Sequence, residues 1–190
     1  MTREIFIGGK EKGLLALEQL IEMKANVVHA YVMKEDDHEP DKFSPQMIEL
    51  SERHKIPYTL TKSIKKEFNN IKDLDPDLMV VYQWRSLIPG EILEIPKRGC
   101  ICVHEALLPK YRGFAPVNWA IINGESITGV TLFYLNEDID SGDIIAQRRI
   151  KINNNDTAYN IYEKAVGVSI ALLKEFHEDI LKGKAPRKKQ

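Results

Sequence analysis

The stretch Gly99-Cys-Ile-Cys-Val-His-Glu-Ala-Leu-Leu-Pro-Lys-Tyr-Arg-Gly-Phe-Ala-Pro-Val-Asn-Trp-Ala-Ile-Ile-Asn-Gly-Glu125 holds a strand, a loop and a helix in one run. Cys100 to His104 is a short apolar strand that ends on an ionisable side chain, and Glu105 to Gly113 is a loop. Ala115 to Asn123 reads as a helix closed by Gly124, and Gly129 to Leu135 as a strongly apolar strand. An acidic loop, Asp138-Ile-Asp-Ser-Gly-Asp143, follows. The unit therefore presents His104 and Asp140 from two loop edges, and a histidine at a strand end beside a loop is well placed for chemistry.

Upstream, Glu4 to Gly8 is a buried strand, Gly9 to Gly13 a turn, Leu14 to Met23 a helix and Val27 to Met33 a second strand. Lys34 to Lys42 is a charged loop, and Ser44-Pro45 marks a helix start with serine as cap and proline at the first helical position. Ile56 to Leu60 is read as a strand, Ser63 to Asn70 as a helix and Leu78 to Tyr82 as a continuous apolar strand. Apolar runs without alternation point to parallel strands covered on both faces. Downstream, Ile144 to Ile152 is a strand, and Asp156 is read as the cap of a long last helix. Ala158, Ile161, Tyr162, Ala165, Val168, Ile170 and Leu172 recur in that helix mostly at three and four residues. One α/β domain over residues 1–182, with a mostly parallel sheet and a basic tail at 183–190, is the economical reading.

A chain of 190 residues can bury a real core. With 27 basic against 28 acidic residues, it exerts no general pull on nucleic acid or anionic membrane. The basic run Lys182 to Lys189 reads as a solvated terminus rather than an RNA arm. No run of ~18 apolar residues and no signal-peptide core is present, which points to the cytoplasm. Two cysteines make no disulfide framework.

Ligands of open parallel sheets bind beyond the carboxyl ends of the strands. Those ends are Gly8-Gly9-Lys10, Tyr82-Gln83-Trp84 and His104. The first is not G-x-G-x-x-G; it serves either as a cradle for an anion with Lys10 as charge partner, or as a turn with an exposed lysine. Cys100, Cys102 and His104 share one strand face, but residues two apart on a strand lie about 6.6 Å apart. Two thiolates at about 2.3 Å from one zinc must nearly converge, so geometry argues against a metal site. The acidic turn lacks the spaced ligands of a helix-loop-helix calcium site.

His104 to Gly113, Ala115 to Glu125, Thr128-Gly-Val-Thr131 and Asp138 to Gln147 together resemble the folate-dependent formyltransferase family, which includes methionyl-tRNA, glycinamide ribonucleotide and sugar N-formyltransferases. The likeness is ordered over roughly 50 residues, and extends more loosely through Asp77 to Tyr82 and Leu87-Ile88-Pro89. It implies a Rossmann-like twisted sheet with helices on both faces, and 10-formyltetrahydrofolate as formyl donor with no metal. It also implies His104 and Asp140 as catalytic residues. Leu87, Ile88 and Pro89, with Asp138, Ile139, Ser141 and Gly142, are the residues expected to line the pterin site, largely through backbone groups.

The chemistry suits those residue types. An amine attacks the formyl carbon, the oxygen becomes negative, and a proton must leave the nitrogen. His104 can hydrogen-bond the oxyanion, and Asp140 can orient His104 and accept the amine proton. The chain departs from the family at Cys102, which occupies the place of a third catalytic member, an asparagine; a thiol is a weaker donor with one hydrogen instead of two. Gln83 and Asn118 are candidates to supply the lost bond. With no further domain for tRNA in these 190 residues, the expected acceptor is a UDP- or dTDP-linked amino sugar, as in the pseudaminic-acid pathway. Gly8, Gly9, Lys10, Tyr82, Trp84 and Phe114 are its candidate contacts. Methionyl-tRNA, glycinamide ribonucleotide and carrier-bound aminoacyl groups are the alternative acceptors, and a degenerate folate-binding scaffold is the non-enzyme alternative.

Overall fold

The computed structural model describes residues 2–190. Seven strands form one sheet in the order β3-β2-β1-β4-β5-β6-β7. These are β1 Glu4–Gly8, β2 Val27–Met33, β3 Tyr58–Thr61, β4 Leu78–Tyr82, β5 Cys100–His104, β6 Ile127–Tyr134 and β7 Ile144–Lys151. β1 pairs in parallel with β2 and β4, and β2 with β3, while β6 and β7 are antiparallel. The expected mostly parallel α/β sheet is present, with the antiparallel pair at one edge. The chain divides into two compact units, Met1–Ile101 and Cys102–Gln190.

In the first unit, β1 and β4 are buried along their whole length, as their unbroken apolar runs require. The helix α1, Lys10–Glu22, begins four residues earlier than Leu14, so Gly9 to Gly13 is not the expected turn. Gly13 explains why: a Cβ there would stand 3.3 Å from the Gly8 carbonyl carbon and 3.4 Å from the Tyr82 oxygen, so the helix start lies directly on the strand ends.

α2 runs Ser44–Arg53, and its cap is not the Ser44 side chain. The Glu35 carboxylate takes that role, accepting the N–H groups of Phe43 and Ser44 at 2.8 and 2.9 Å. Burial works to raise the Glu35 pKa, yet the hydrogen bonds from the Ser44 hydroxyl and the backbone N–H groups outweigh it and hold the carboxyl below its ordinary value. A 3₁₀ turn, Ile64–Glu67, runs into α3, Phe68–Asp73, and α4 is the short Gly90–Leu93.

In the second unit, α5 covers Pro116–Ile122 and α6 covers Ala158–Leu181. α6 packs on β6 and β7 through Ile161, Ala165, Leu172, Leu173 and Ile180. Each buried Ile or Leu stabilises by about 1.5–3 kcal/mol against exposure. Ser169 and His177 share that inward stripe, so the apolar spacing traces the face only in part. Thr157, not Asp156, caps the helix, in a reciprocal box with Asn160. Asp156 instead holds Asn153 and Lys164.

The basic tail is exposed but not free. Lys188 and Ile144 exchange backbone hydrogen bonds of 2.8 and 3.0 Å, Lys189 pairs with Asp143 at 2.9 Å, and the Arg187 guanidinium lies 3.5 Å over the Tyr134 ring. Among the described residues no helix is long and apolar enough to cross a membrane.

Candidate active site

His104 closes β5 and is 6 % exposed. Its Nε2 lies 2.6 Å from the Tyr111 carbonyl oxygen. A carbonyl only accepts, so Nε2 carries a proton and donates it there. Nδ1 faces Asp140 Oδ2 at 3.5 Å, a little beyond a direct hydrogen bond. The same Oδ2 accepts the Gly113 N–H at 2.8 Å. The two residues singled out from the sequence therefore meet, and the loop that follows His104 supplies a partner to each of them.

That loop is anchored from the strands beneath it. Thr131, fully buried on β6, donates its hydroxyl to the Ala106 carbonyl at 2.6 Å and accepts the Leu108 N–H at 3.1 Å. Gln147 on β7 donates to the Leu108 carbonyl and to the Thr131 hydroxyl, both at 2.9 Å. Farther along, the Tyr111 hydroxyl donates to Glu125 at 2.8 Å and accepts from Asn123 at 3.2 Å. Lys110 is the first cause, and Tyr111 the second, of a Glu125 carboxyl held below its ordinary pKa. The Tyr111 side chain is thus tied behind α5 while its carbonyl faces His104.

The acidic loop has its own constraints. Asp140 adopts φ +47, in the left-handed region that Asp tolerates better than most residues. Ser141 donates to Asn136 at 3.0 Å. Gly142 allows no side chain, because a Cβ there would stand 1.8 Å from the Tyr134 carbonyl oxygen. Tyr134 N–H in turn donates to Asp143 at 2.9 Å, closing the loop at its base. Ile139 remains 56 % exposed and Asp138 is exposed as well.

Cys102 is half-buried. Its thiol donates to the Val103 carbonyl at 3.5 Å, and the side chain packs beside Leu108, Phe133 and Ile144. Neither cysteine is in a disulfide. Asn118 lies on the exposed face of α5. Phe114 is almost wholly exposed.

The remaining candidates belong to the first unit. Gly9 N–H donates to the Tyr82 carbonyl at 3.1 Å, and a Cβ on Gly8 would meet that carbonyl at 2.8 Å and the Phe6 ring at 2.4 Å. The glycines there permit close packing of strand ends. Lys10 is ion-paired with Glu39, which Arg85 also engages. Arg85 and Lys62 both reach Asp36, at 3.0 and 2.5 Å. Lys10 is therefore held in an ion-pair network rather than standing as an isolated charge at the strand end. Tyr82 is fully buried, so the expectation that its ring offers a face to substrate is corrected. Beside it, Gln83 Oε1 and Trp84 Nε1 are buried without a partner. Leu87 is exposed, Ile88 is buried and Pro89 opens α4.

Sequence reasoning passed over Thr131, Gln147, the Tyr111 carbonyl and Gln190. Thr131 sits between Val130 and Leu132, and Gln147 follows Ile144-Ile-Ala146. A polar residue inside an apolar strand is a legible sign of a buried anchor.

The sequence profile of the formyl transferase family matches residues 8–175. The methionyl-tRNA formyltransferase of Clostridioides difficile is 47 % identical over 144 residues, covering 75 % of this chain and 47 % of that protein. That of Halothermothrix orenii is 35 % identical over 191 residues, covering 98 % of this chain and 60 % of that protein. The chain thus spans about half of the curated relatives it matches. Among solved structures, an N-formyltransferase from Helicobacter canadensis, in complex with folinic acid and dTDP-3-aminofucose, superposes with a TM-score of 0.81 at 22 % identity, covering all of this chain and 68 % of that one. With His104 and Asp140 meeting inside the matched region, and the sheet shared with a solved member of that group, the chain belongs to the formyl transferase family.

Proposed function

We propose that the chain transfers a formyl group from 10-formyltetrahydrofolate to a primary amine, and that the amine is the amino group of methionyl-tRNA. The observation that carries the reaction is the His104–Asp140 pair at 3.5 Å, presented by two loops within the matched region. The acceptor rests on relatives that are 35–47 % identical and named for methionyl-tRNA. It replaces the nucleotide-linked amino sugar expected from the sequence, since the sugar N-formyltransferase structures share only 20–22 % identity and speak for the fold alone.

The folate supplies the activated formyl group. The orphaned acceptor on Gln83 and donor on Trp84 fit a heterocycle that carries both donors and acceptors, and the turn Leu87-Ile88-Pro89 is their neighbour in sequence. In the second unit, backbone groups of Asp138, Ile139, Ser141 and Gly142 are the proposed contacts. His104 donates a hydrogen bond to the oxygen that becomes negative. Its Nε2 proton is held by the Tyr111 carbonyl, so that carbonyl is exchanged for the stronger, charged acceptor as charge develops. Asp140 holds the ring on the Nδ1 side and takes the proton that the amine gives up; that proton passes to the folate nitrogen as its bond to the formyl carbon breaks.

The test is turnover of 10-formyltetrahydrofolate with methionyl-tRNA, glycinamide ribonucleotide, UDP- and dTDP-amino sugars and a carrier-bound aminoacyl group in parallel. Formylated methionyl-tRNA is the expected product. Turnover of amino sugars alone returns the acceptor to the sugar class. No turnover with any amine, while 5-formyltetrahydrofolate raises the melting temperature, leaves a folate-binding scaffold.

A further inference from the structure

Gln190 makes four side-chain hydrogen bonds, all to the two loops of the candidate active site. Its amide nitrogen donates to the carbonyl oxygens of Asp140 and Gly142, at 3.1 and 2.6 Å. Its amide oxygen accepts from Nε and Nη2 of Arg112, at 3.1 and 2.8 Å. Arg112 directly precedes Gly113, whose N–H holds the Asp140 carboxylate. Asp140 is thereby gripped on both sides, by Gly113 at its carboxylate and by Gln190 at its backbone. The preceding residues fasten the tail to the same segment, Lys188 on Ile144 and Lys189 on Asp143.

We propose that Gln190 is a positioning residue that sets the distance between Asp140 and His104, an inference that rests on the formyl-transfer reading above. Asp140 stands in a left-handed conformation, two residues before a glycine at which a Cβ would strike the Tyr134 carbonyl oxygen. Its carboxylate stops 3.5 Å from Nδ1, where a displacement of a few tenths of an ångström decides whether a hydrogen bond forms. Misplacement of a reacting group by about 1 Å costs on the order of a hundredfold in rate. A side-chain amide that satisfies two carbonyls of this loop, and is itself oriented by a guanidinium, supplies that control.

Gln190→Glu separates the two halves of the tie. The carboxylate keeps the bonds from Arg112 and loses the donor, so two carbonyls face an acceptor. Gln190→Ala removes both halves, and Arg112→Ala, at an exposed position, loosens the tie from the other end. Three readouts are taken on the intact chain: kcat and KM for the folate donor, the melting temperature, and amide exchange across residues 138–143. The expected result for Gln190→Glu is a loss of kcat of about tenfold or more with little change in KM. The melting temperature stays near that of the parent, and exchange at Ser141 and Gly142 becomes about tenfold faster. Arg112→Ala follows in the same direction with a smaller effect. Unchanged exchange in that segment overturns the proposal whether or not the protein turns over any amine, so its failure is distinct from failure of the formyl-transfer reading. Tighter binding of 5-formyltetrahydrofolate to Gln190→Ala also overturns it, because the tail would then occupy the ligand's place.

Discussion

Replacing Thr131 with valine tests whether the histidine loop is held from the strands below it. The change conserves volume at a fully buried position, so no cavity term enters. It removes the bond donated to Ala106 at 2.6 Å and the two bonds accepted from Leu108 and Gln147. Gln147 keeps its bond to the Leu108 carbonyl, so two buried backbone groups, the Ala106 C=O and the Leu108 N–H, lose their partners. At about 1–3 kcal/mol for each orphaned group, the expected loss is roughly 2–6 kcal/mol, a large share of the ~5–15 kcal/mol that holds an ordinary domain. Gln147→Leu, which orphans only an acceptor that is also a carbonyl oxygen, costs about 1 kcal/mol. Because the two side chains bond each other, the double variant loses less than the sum of the singles. Urea unfolding followed by tryptophan fluorescence reads these differences, with thermal scans as a second measure. A Thr131→Val loss below about 0.5 kcal/mol, within the range of an ordinary surface change, would refute the anchoring argument.

His104→Ala and Asp140→Ala each lower kcat by on the order of a hundredfold or more, and the double variant lowers it little further; steady-state kinetics in which either single variant keeps near-parental turnover removes the assigned role. Glu35 stabilises α2 in its ionised form, with a folded pKa below the unfolded value. Its contribution is therefore full above the unfolded pKa and is lost as pH falls through the folded one. Glu35→Gln lowers the melting temperature at pH 7 and narrows the gap to the parent on acidification toward pH 3; a gap that is constant with pH shows that the charge does not matter. Cys102→Asn raises turnover, since a missing oxyanion donor is worth about 3 kcal/mol, and Cys102→Ala leaves it nearly unchanged. An inactive Cys102→Asn variant, with a formylated Cys102 trapped by rapid-quench mass spectrometry, points instead to a covalent route.

Most of the sheet was legible because β1, β2, β4, β5 and β6 are largely apolar runs of five to eight residues, and Val27–Met33 and Leu78–Tyr82 were bounded to the residue. Caps were not. Ser44-Pro45 and Asp156 have the composition of helix starts, yet Glu35 and Thr157 make the bonds. A carboxylate eight residues upstream leaves no local pattern, and two adjacent cap-forming residues cannot be ranked by composition alone. His104 and Asp140 were legible as ionisable groups on loop edges. The occupancy of His104 Nε2 by the Tyr111 carbonyl was not, because a backbone acceptor has no residue signature. The tail is solvated as read, but its anchoring was not legible: its lysines and arginine are exposed, as their charge demands, while a backbone bridge, one amide, an ion pair and a ring contact pin it to distant residues.

If the proposed mechanism holds, control of the chemistry resides at the two contacts of the His104 ring. Both nitrogens of His104 face acceptors, one a neutral carbonyl at 2.6 Å and the other a carboxylate at 3.5 Å. A ring so placed is aligned, but its Nε2 proton reaches a substrate oxygen only by leaving Tyr111. Tyr111 cannot follow the ring freely, since its hydroxyl is fixed to Glu125 and its backbone is left-handed at φ +57. The competition therefore runs between a fixed neutral acceptor and an oxygen whose charge grows along the reaction. A hydrogen bond to a charged group is about twice as strong as one between neutral groups, so the exchange favours the substrate only once charge has developed. An interaction gained in the transition state and withheld from the ground state is the kind that raises kcat. On the proposed mechanism the Tyr111 carbonyl, which gives up a hydrogen bond but no covalent bond, thus sets when His104 is released to act.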